Sequence, residues 1–96
     1  MIKSSGLLSA ALALVFTGPC RLIGASITAD GTATPTLTLY DNTSNSGTGV
    51  VHLGVTATNK YVSIMFPKDG ISCSTGLYAV MTSAGDANYI VYYEIL

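Results

Sequence analysis

Charged residues are scarce in this chain of 96 residues. Only 9% of the residues are Asp, Glu, Lys or Arg, whereas a typical soluble domain has about 25%. Four basic residues oppose five acidic ones, which gives a net charge of −1. This balance leaves no basic surface for nucleic acid, and it is not the composition of an acidic disordered tail. The sequence therefore predicts no nucleic-acid partner.

Tryptophan is absent, and the chain has only one histidine and two cysteines. So few cysteines exclude a zinc ribbon and a dense disulfide framework, and we expect neither a metal ion nor a cofactor. Cys20 and Cys73 both fall in predicted strands. They are buried thiols if the chain stays in a reducing cytoplasm, or one bridge if it reaches an oxidising compartment.

Helical periodicity is missing beyond residue 20, and short β patterns bounded by turn residues replace it. The predicted strands are 20–28, 36–40, 50–55, 60–66, 71–74, 77–82 and 89–95. In the first of them, alternation places Ile23, Ala25 and Ile27 on one face and Leu22, Gly24 and Ser26 on the other. Turns are predicted at 30–31 and 83–86. The pattern predicts an all-β fold, a single antiparallel β-sandwich domain over residues 1–96 that is jelly-roll-like.

The first sixteen residues allow more than one interpretation. Lys3 precedes the apolar run 7–16, and this arrangement is typical of a secretory signal. However, Pro19 fits poorly the small residue that cleavage before Cys20 requires. The run is also too short to cross a bilayer, which needs about 20 apolar residues, so we expect no membrane partner.

We therefore expect residues 1–16 to be integral strands of the sandwich rather than a cleaved signal. Residues 12–16 fit a buried strand, and Leu8 and Ala10 fit a first edge strand. A short helix over 6–14 is the remaining alternative, because Ala and Leu favour helices.

No arrangement of reactive residues predicts catalysis. His52 is flanked by Val51 and Leu53 in a predicted strand, which favours a structural role. Four of the five acids lie in or beside predicted turns, where Asp bonds its own backbone, and Asp41 is expected to act in this local way. No nucleophile elbow is present, so we expect no catalytic residue and no enzyme.

The tyrosines are the best candidates for contact residues, because tyrosine is enriched at protein interfaces. We single out Tyr40, Tyr89, Tyr92 and Tyr93. Apolar residues make up 49% of the chain, more than a thin sandwich can hide alone. We therefore expect a homo-oligomer, a closed ring with a trimer ahead of a dimer or pentamer.

Several short segments carry a resemblance to a known group of proteins. They are 17–24 (TGPCRLIG), 39–43 (LYDNT), 46–48 (SGT), 66–67 (FP), 70–71 (GI) and 76–79 (GLYA). Together they resemble the small β-sandwich structural proteins of tailed-phage virions, of the head decoration or head fibre type. The resemblance covers roughly residues 17–96 and supplies no catalytic residue.

What the resemblance implies is a virion component that binds the major capsid protein or another virion protein. Such a chain is assembled in the cytoplasm of a bacterial host. The alternative is a secreted or surface-displayed β binding module, adhesin-like or glycan-binding, which would require export and removal or lipidation of the N-terminal segment.

Overall fold

A computed structural model describes residues 2–29, 34–44, 46–47, 49–56, 58–67, 70–82 and 87–96. Within these ranges the chain forms nine β-strands and no helix. They are β1 (Ile2–Ser4), β2 (Leu12–Thr17), β3 (Cys20–Ala29), β4 (Thr36–Tyr40), β5 (Gly49–Gly54), β6 (Tyr61–Met65), β7 (Ile71–Cys73), β8 (Gly76–Thr82) and β9 (Ala87–Ile95). The predicted turns at 30–31 and 83–86 lie outside the described residues.

The strands form two antiparallel sheets packed face to face. The first sheet has the order β1-β9-β3-β6, with β7 also paired to β3, and the second has the order β2-β8-β4-β5. Because the chain crosses between the sheets at nearly every connection, strands distant in sequence become neighbours. This is the strand order of a jelly roll. The predicted fold class, an all-β antiparallel sandwich in one domain, is confirmed.

The core lies between the two sheets and is built from alternate residues of the long strands. Leu37 and Leu39 of β4 are fully buried, as their alternation predicts. Opposite them, β3 and β9 bury Ile27 and Val91. Tyr89 is 1% exposed, and its hydroxyl donates a hydrogen bond of 2.8 Å to the carbonyl of Ala10, so its polar group is satisfied inside the protein.

One face assignment predicted for β3 is wrong. Leu22 is fully buried and belongs to the same core cluster as Ala25 and Ile27, rather than facing away from them. The register with β9 shifts between Leu22 and Gly24, which is the signature of a β-bulge. The extra residue breaks the two-residue alternation, and sequence periodicity does not reveal where it is inserted.

The apolar N-terminal segment contributes one strand to each sheet. β1 pairs with β9 in the first sheet, and β2 pairs with β8 in the second. The expected edge strand around Leu8 is reduced to a single bridge between Leu8 and Tyr89. The helix considered over 6–14 does not form in this described segment, because residues from Leu12 onward are extended in β2.

Candidate functional site

The outer face of the second sheet carries no charged side chain. None of the residues in β2, β8, β4 and β5 is Asp, Glu, Lys or Arg. The register defines which side chains share this outer face, because residues directly opposite one another point the same way. They are Leu12, Leu14, Tyr78, Val80, Thr82, Thr36, Thr38, Tyr40 and His52. We call this set the uncharged face.

Several apolar side chains of the uncharged face are open to solvent. Leu12 is 51% exposed and Leu14 is 50% exposed, and both lie on β2. Tyr78 of β8 is in register with Leu14, and Tyr40 of β4 is in register with Tyr78. Both tyrosines are half-buried. Contiguous apolar surface of this kind usually marks a place where another molecule binds.

Neutral hydrogen bonds satisfy polar groups on the rest of the face. The hydroxyls of Thr36 and Thr82 bond each other across β4 and β8. The Thr38 hydroxyl bonds Nδ1 of His52 at 2.8 Å. Neutral groups already paired in this way cost less to bury in an interface than ionised groups do.

Both edge strands of the second sheet contain a register irregularity. In β2 it falls between Leu14 and Phe16, and in the β4–β5 pair it falls between Leu39 and Tyr40. A bulge twists an edge strand and interrupts its row of free backbone groups, which disfavours the addition of a further strand. The geometry therefore favours contact through the face of the sheet over pairing along its edges.

The broad side of the molecule, which carries the uncharged face, has the dimensions of a standard protein contact. The chain measures 38 × 26 × 21 Å, and the stacking of two sheets accounts for the shortest dimension. The broad side therefore covers at most about 1,000 Å², against about 800 Å² per partner in a standard interface.

The four predicted contact tyrosines do not form one surface. Tyr89 is in the core, so it is not available as a surface contact. Tyr93 also points inward, and its ring lies 5.5 Å from that of Phe16. Tyr92 is half-buried on the outer face of the first sheet, in register with Ser4 and Gly24.

Only Tyr40 of these four belongs to the uncharged face. Sequence reasoning missed its neighbours Leu12, Leu14 and Val80. A usable signal was present in the sequence: the charged residues avoid every segment that forms the second sheet.

Asp41, at the end of β4, has a role that the sequence did not predict. Its carboxylate does not cap its own loop but accepts backbone N–H groups from Thr75 at 2.9 Å, Ser74 at 3.1 Å and Gly76 at 3.3 Å. The local turn is made instead by Asn42, whose Oδ1 accepts the N–H of Thr43 at 2.7 Å. Asp41 thus fastens the turn between β7 and β8, where the chain passes from the first sheet to the second.

The hydrogen bonds to Asp41 also set its ionisation. Burial alone would raise its pKa, but the backbone N–H groups of Thr75, Ser74 and Gly76 outweigh burial and hold the pKa of the carboxyl below its ordinary value. Asp41 is therefore an ionised structural clasp.

The described residues contain no cluster of three His, Cys, Asp or Glu side chains able to hold a metal ion, and no cavity of ligand size. In the same part of the chain, no helix is long and apolar enough to span a membrane.

Comparison with solved structures gives a distant likeness. No protein-family model matches the chain, and no curated protein matches it. A chain from the acidic stable capsid structure of Helicobacter pylori bacteriophage KHP30 is similar over 99% of this chain and 86% of that chain. The identity is 13% and the TM-score is 0.46, and a likeness of this size does not assign a function.

Proposed function

We propose that this chain is a non-enzymatic structural component of a tailed-phage virion, a capsid decoration or head-associated protein. The observation that carries the proposal is the uncharged face. A protein that remains a monomer in water ordinarily has about 25–35% charged residues on its surface, whereas one entire sheet here has none. The resemblance of residues 17–96 to small virion β-sandwich proteins supports the same role.

The partner proposed for the uncharged face is a second copy of this chain. The β2 half of this face on one copy and the β5 half on its neighbour are both neutral, so burying one half against the other leaves no ionised group unpaired. In a closed ring each subunit offers two different patches to its neighbours. The β2 side and the β5 side of the second sheet are both uncharged, which suits such a ring, and we propose a trimer.

In this arrangement the outer face of the first sheet remains free to contact the capsid shell or solvent. That face presents the ion pair between Arg21 and Glu94, whose charged atoms are 3.2 Å apart. Charged groups at a contact contribute more to the orientation and specificity of binding than to its affinity. Such groups suit a contact with the major capsid protein.

The test is the composition of purified phage particles. We expect peptides of this chain in washed particles, at a fixed ratio to the major capsid protein when both are quantified by mass spectrometry. The isolated chain should sediment as a trimer. A chain absent from particles and recovered instead from the exported fraction would refute the virion role and favour the secreted binding module.

A further inference from the structure

The two cysteines of the chain face each other across neighbouring strands. Cys20 begins β3 and Cys73 ends β7, and their Cα atoms are direct partners in the antiparallel register. Both side chains are buried, at 0% and 1% exposure, and both are free thiols. The chain has no other cysteine, so this is the one intramolecular pairing available.

The register satisfies the main geometric requirement of a disulfide. Directly opposite residues in an antiparallel pair have Cα atoms about 4.5 or 5.5 Å apart, depending on the hydrogen-bonding position. Both values lie within the range of about 4.4–6.8 Å that disulfides span. Opposite side chains also point to the same face of the sheet, so the two sulfur atoms share one part of the core.

We propose that Cys20 and Cys73 form a cross-strand disulfide by exchange with a small-molecule disulfide such as oxidised glutathione. One cysteine thiolate attacks a sulfur of the donor, forms a mixed disulfide and releases one glutathione thiolate. The second cysteine thiolate then attacks the mixed disulfide at the protein sulfur, which forms the Sγ–Sγ bond and releases the second glutathione. Two electrons pass from the protein to the donor, and the two thiol protons end on the two reduced glutathiones.

The folded protein protects the thiols from this exchange. Burial, followed by the nearness of Cys20 and Asp41, raises the pKa of Cys73 to about 12, and burial also raises the pKa of Cys20. Because the thiolate is the reacting form, exchange is slow in the closed structure. The bridge forms while the chain folds or while β7 is released.

β7 is the natural point of opening for this exchange. It has only three residues and is hydrogen-bonded in the sheet to β3. Short strands with few contacts open at low free-energy cost. The residues that follow Cys73, namely Ser74 and Thr75, are held by the Asp41 clasp. A disulfide would add a covalent link between β7 and β3 directly beside this clasp.

The experiment is refolding of the full chain in two redox conditions. One sample refolds with reduced and oxidised glutathione, and the other refolds with excess dithiothreitol. We expect the first to lose the mass of two hydrogen atoms, to resist alkylation after denaturation and to yield one peptide linking Cys20 to Cys73. Its Tm should exceed that of the reduced sample by about 10 °C, because the bridge constrains a long loop in the unfolded chain.

Two further measurements separate this bridge from other outcomes. The double variant Cys20→Ser, Cys73→Ser should show no difference in Tm between the two conditions. In the oxidised wild-type chain, dithiothreitol should open the bridge slowly under native conditions and rapidly in denaturant. Two alkylatable thiols after glutathione refolding would overturn the proposal, as would glutathione adducts alone or disulfide-linked dimers. This outcome is independent of whether the chain is found in phage particles.

Discussion

The two sheets of the sandwich are alike on the inside and different on the outside. Their inner faces contribute similar aliphatic side chains to one core, for example Ile27 from the first sheet and Leu39 from the second. On its outer side the first sheet carries Arg21 and Glu94, whereas no strand of the second sheet contains a charged residue. The core determines the fold, but the outer faces determine which side can lie against another protein.

The edge strands of the first sheet are shorter than those of the second. The first sheet ends in short strands, β1 with three residues and β6 and β7 with five and three. The second sheet ends in β2 and β5, each of six uncharged residues. Short edge strands and charges protect a sheet from unwanted association. The second sheet has only its bulges for this purpose, and a subunit contact would supply the remaining cover.

The largest expected effect comes from removing the N-terminal segment. A chain that begins at Cys20 lacks β1 and β2, so the second sheet loses a six-residue strand and the first only three residues. The inward side of β8 would then be uncovered around Ala79 and Leu77. We expect such a truncated chain to be insoluble or unfolded.

The matching measurement is the intact mass of the native protein. We predict that the native chain retains β1 and β2. A native mass short by the first nineteen residues, or one with lipid on Cys20, would contradict the assignment of this segment to the sandwich.

The next prediction tests which of the two outer faces makes the contact between subunits. Leu14→Lys places a charge on the uncharged face, and Met65→Lys places one on the first sheet, where Met65 is 60% exposed. Both changes are at exposed positions, and an unbranched lysine stem can cover Gly24 as the methionine does. We expect Leu14→Lys to weaken self-association at least about 100-fold, and Met65→Lys to change it by less than about threefold.

The measurement is sedimentation over a dilution series, with Tm recorded to show that both variants are folded. Equal weakening by the two variants would show that association depends on net charge rather than on one face. Weakening by Met65→Lys alone would place the contact on the first sheet.

Features of the two sheets that depend on local periodicity could be predicted from the sequence, whereas features that depend on strand pairing could not. The alternation of Leu37 with Leu39 was sufficient to predict a strand and its buried face, because periodicity is local. The bulge that turns Leu22 inward was not predicted, because it depends on the register with β9.

The contact surface was harder to predict than the fold. Tyr89 was chosen as a contact residue by its type, although its place in the alternation of β9 already put it on the same face as Val91, which is buried. The uncharged face joins β2, β8, β4 and β5, which are far apart in sequence, so it becomes visible only when the pairing is known.

A smaller effect is expected at the junction between the sheets. Asp41→Asn removes the negative charge from the clasp, and an amide offers one acceptor oxygen where the carboxylate offers two. Since hydrogen bonds to an ionised group contribute about 1.5–3 kcal/mol, we expect the free energy of unfolding to fall by about 2 kcal/mol at neutral pH. Glu94→Gln is the matched control on the first sheet, with a smaller fall in Tm because a surface ion pair such as that between Glu94 and Arg21 contributes little.

The pH dependence of this variant follows from the lowered pKa of Asp41. A carboxyl with a lowered pKa in the folded state stabilises the protein above its unfolded pKa of about 3.9. That contribution is lost as the pH falls through the folded value. The difference in Tm between the wild type and Asp41→Asn should therefore be constant near neutrality and shrink below about pH 4. A difference that persists unchanged in acid would show that the charge of Asp41 is not what holds the turn.

The smallest expected effect is at His52, the one ionisable side chain other than tyrosine on the uncharged face. Its ring is exposed and makes a single described hydrogen bond, to the hydroxyl of Thr38. Exposed neutral hydrogen bonds contribute little, so His52→Ala should change the free energy of unfolding by less than about 1 kcal/mol. Thr38→Val is the matched control, because it removes the same bond from the other side. A general base needs a second group to orient it and a nucleophile within reach, and here Nδ1 of the ring is already bonded to the hydroxyl of Thr38 on the neighbouring strand. We therefore expect no catalytic turnover from His52, measured as hydrolysis across a panel of ester and peptide substrates. A hydrolysis rate that vanishes in His52→Ala while Tm is unchanged would make the chain an enzyme, and catalysis would replace subunit contact as the role of the uncharged face.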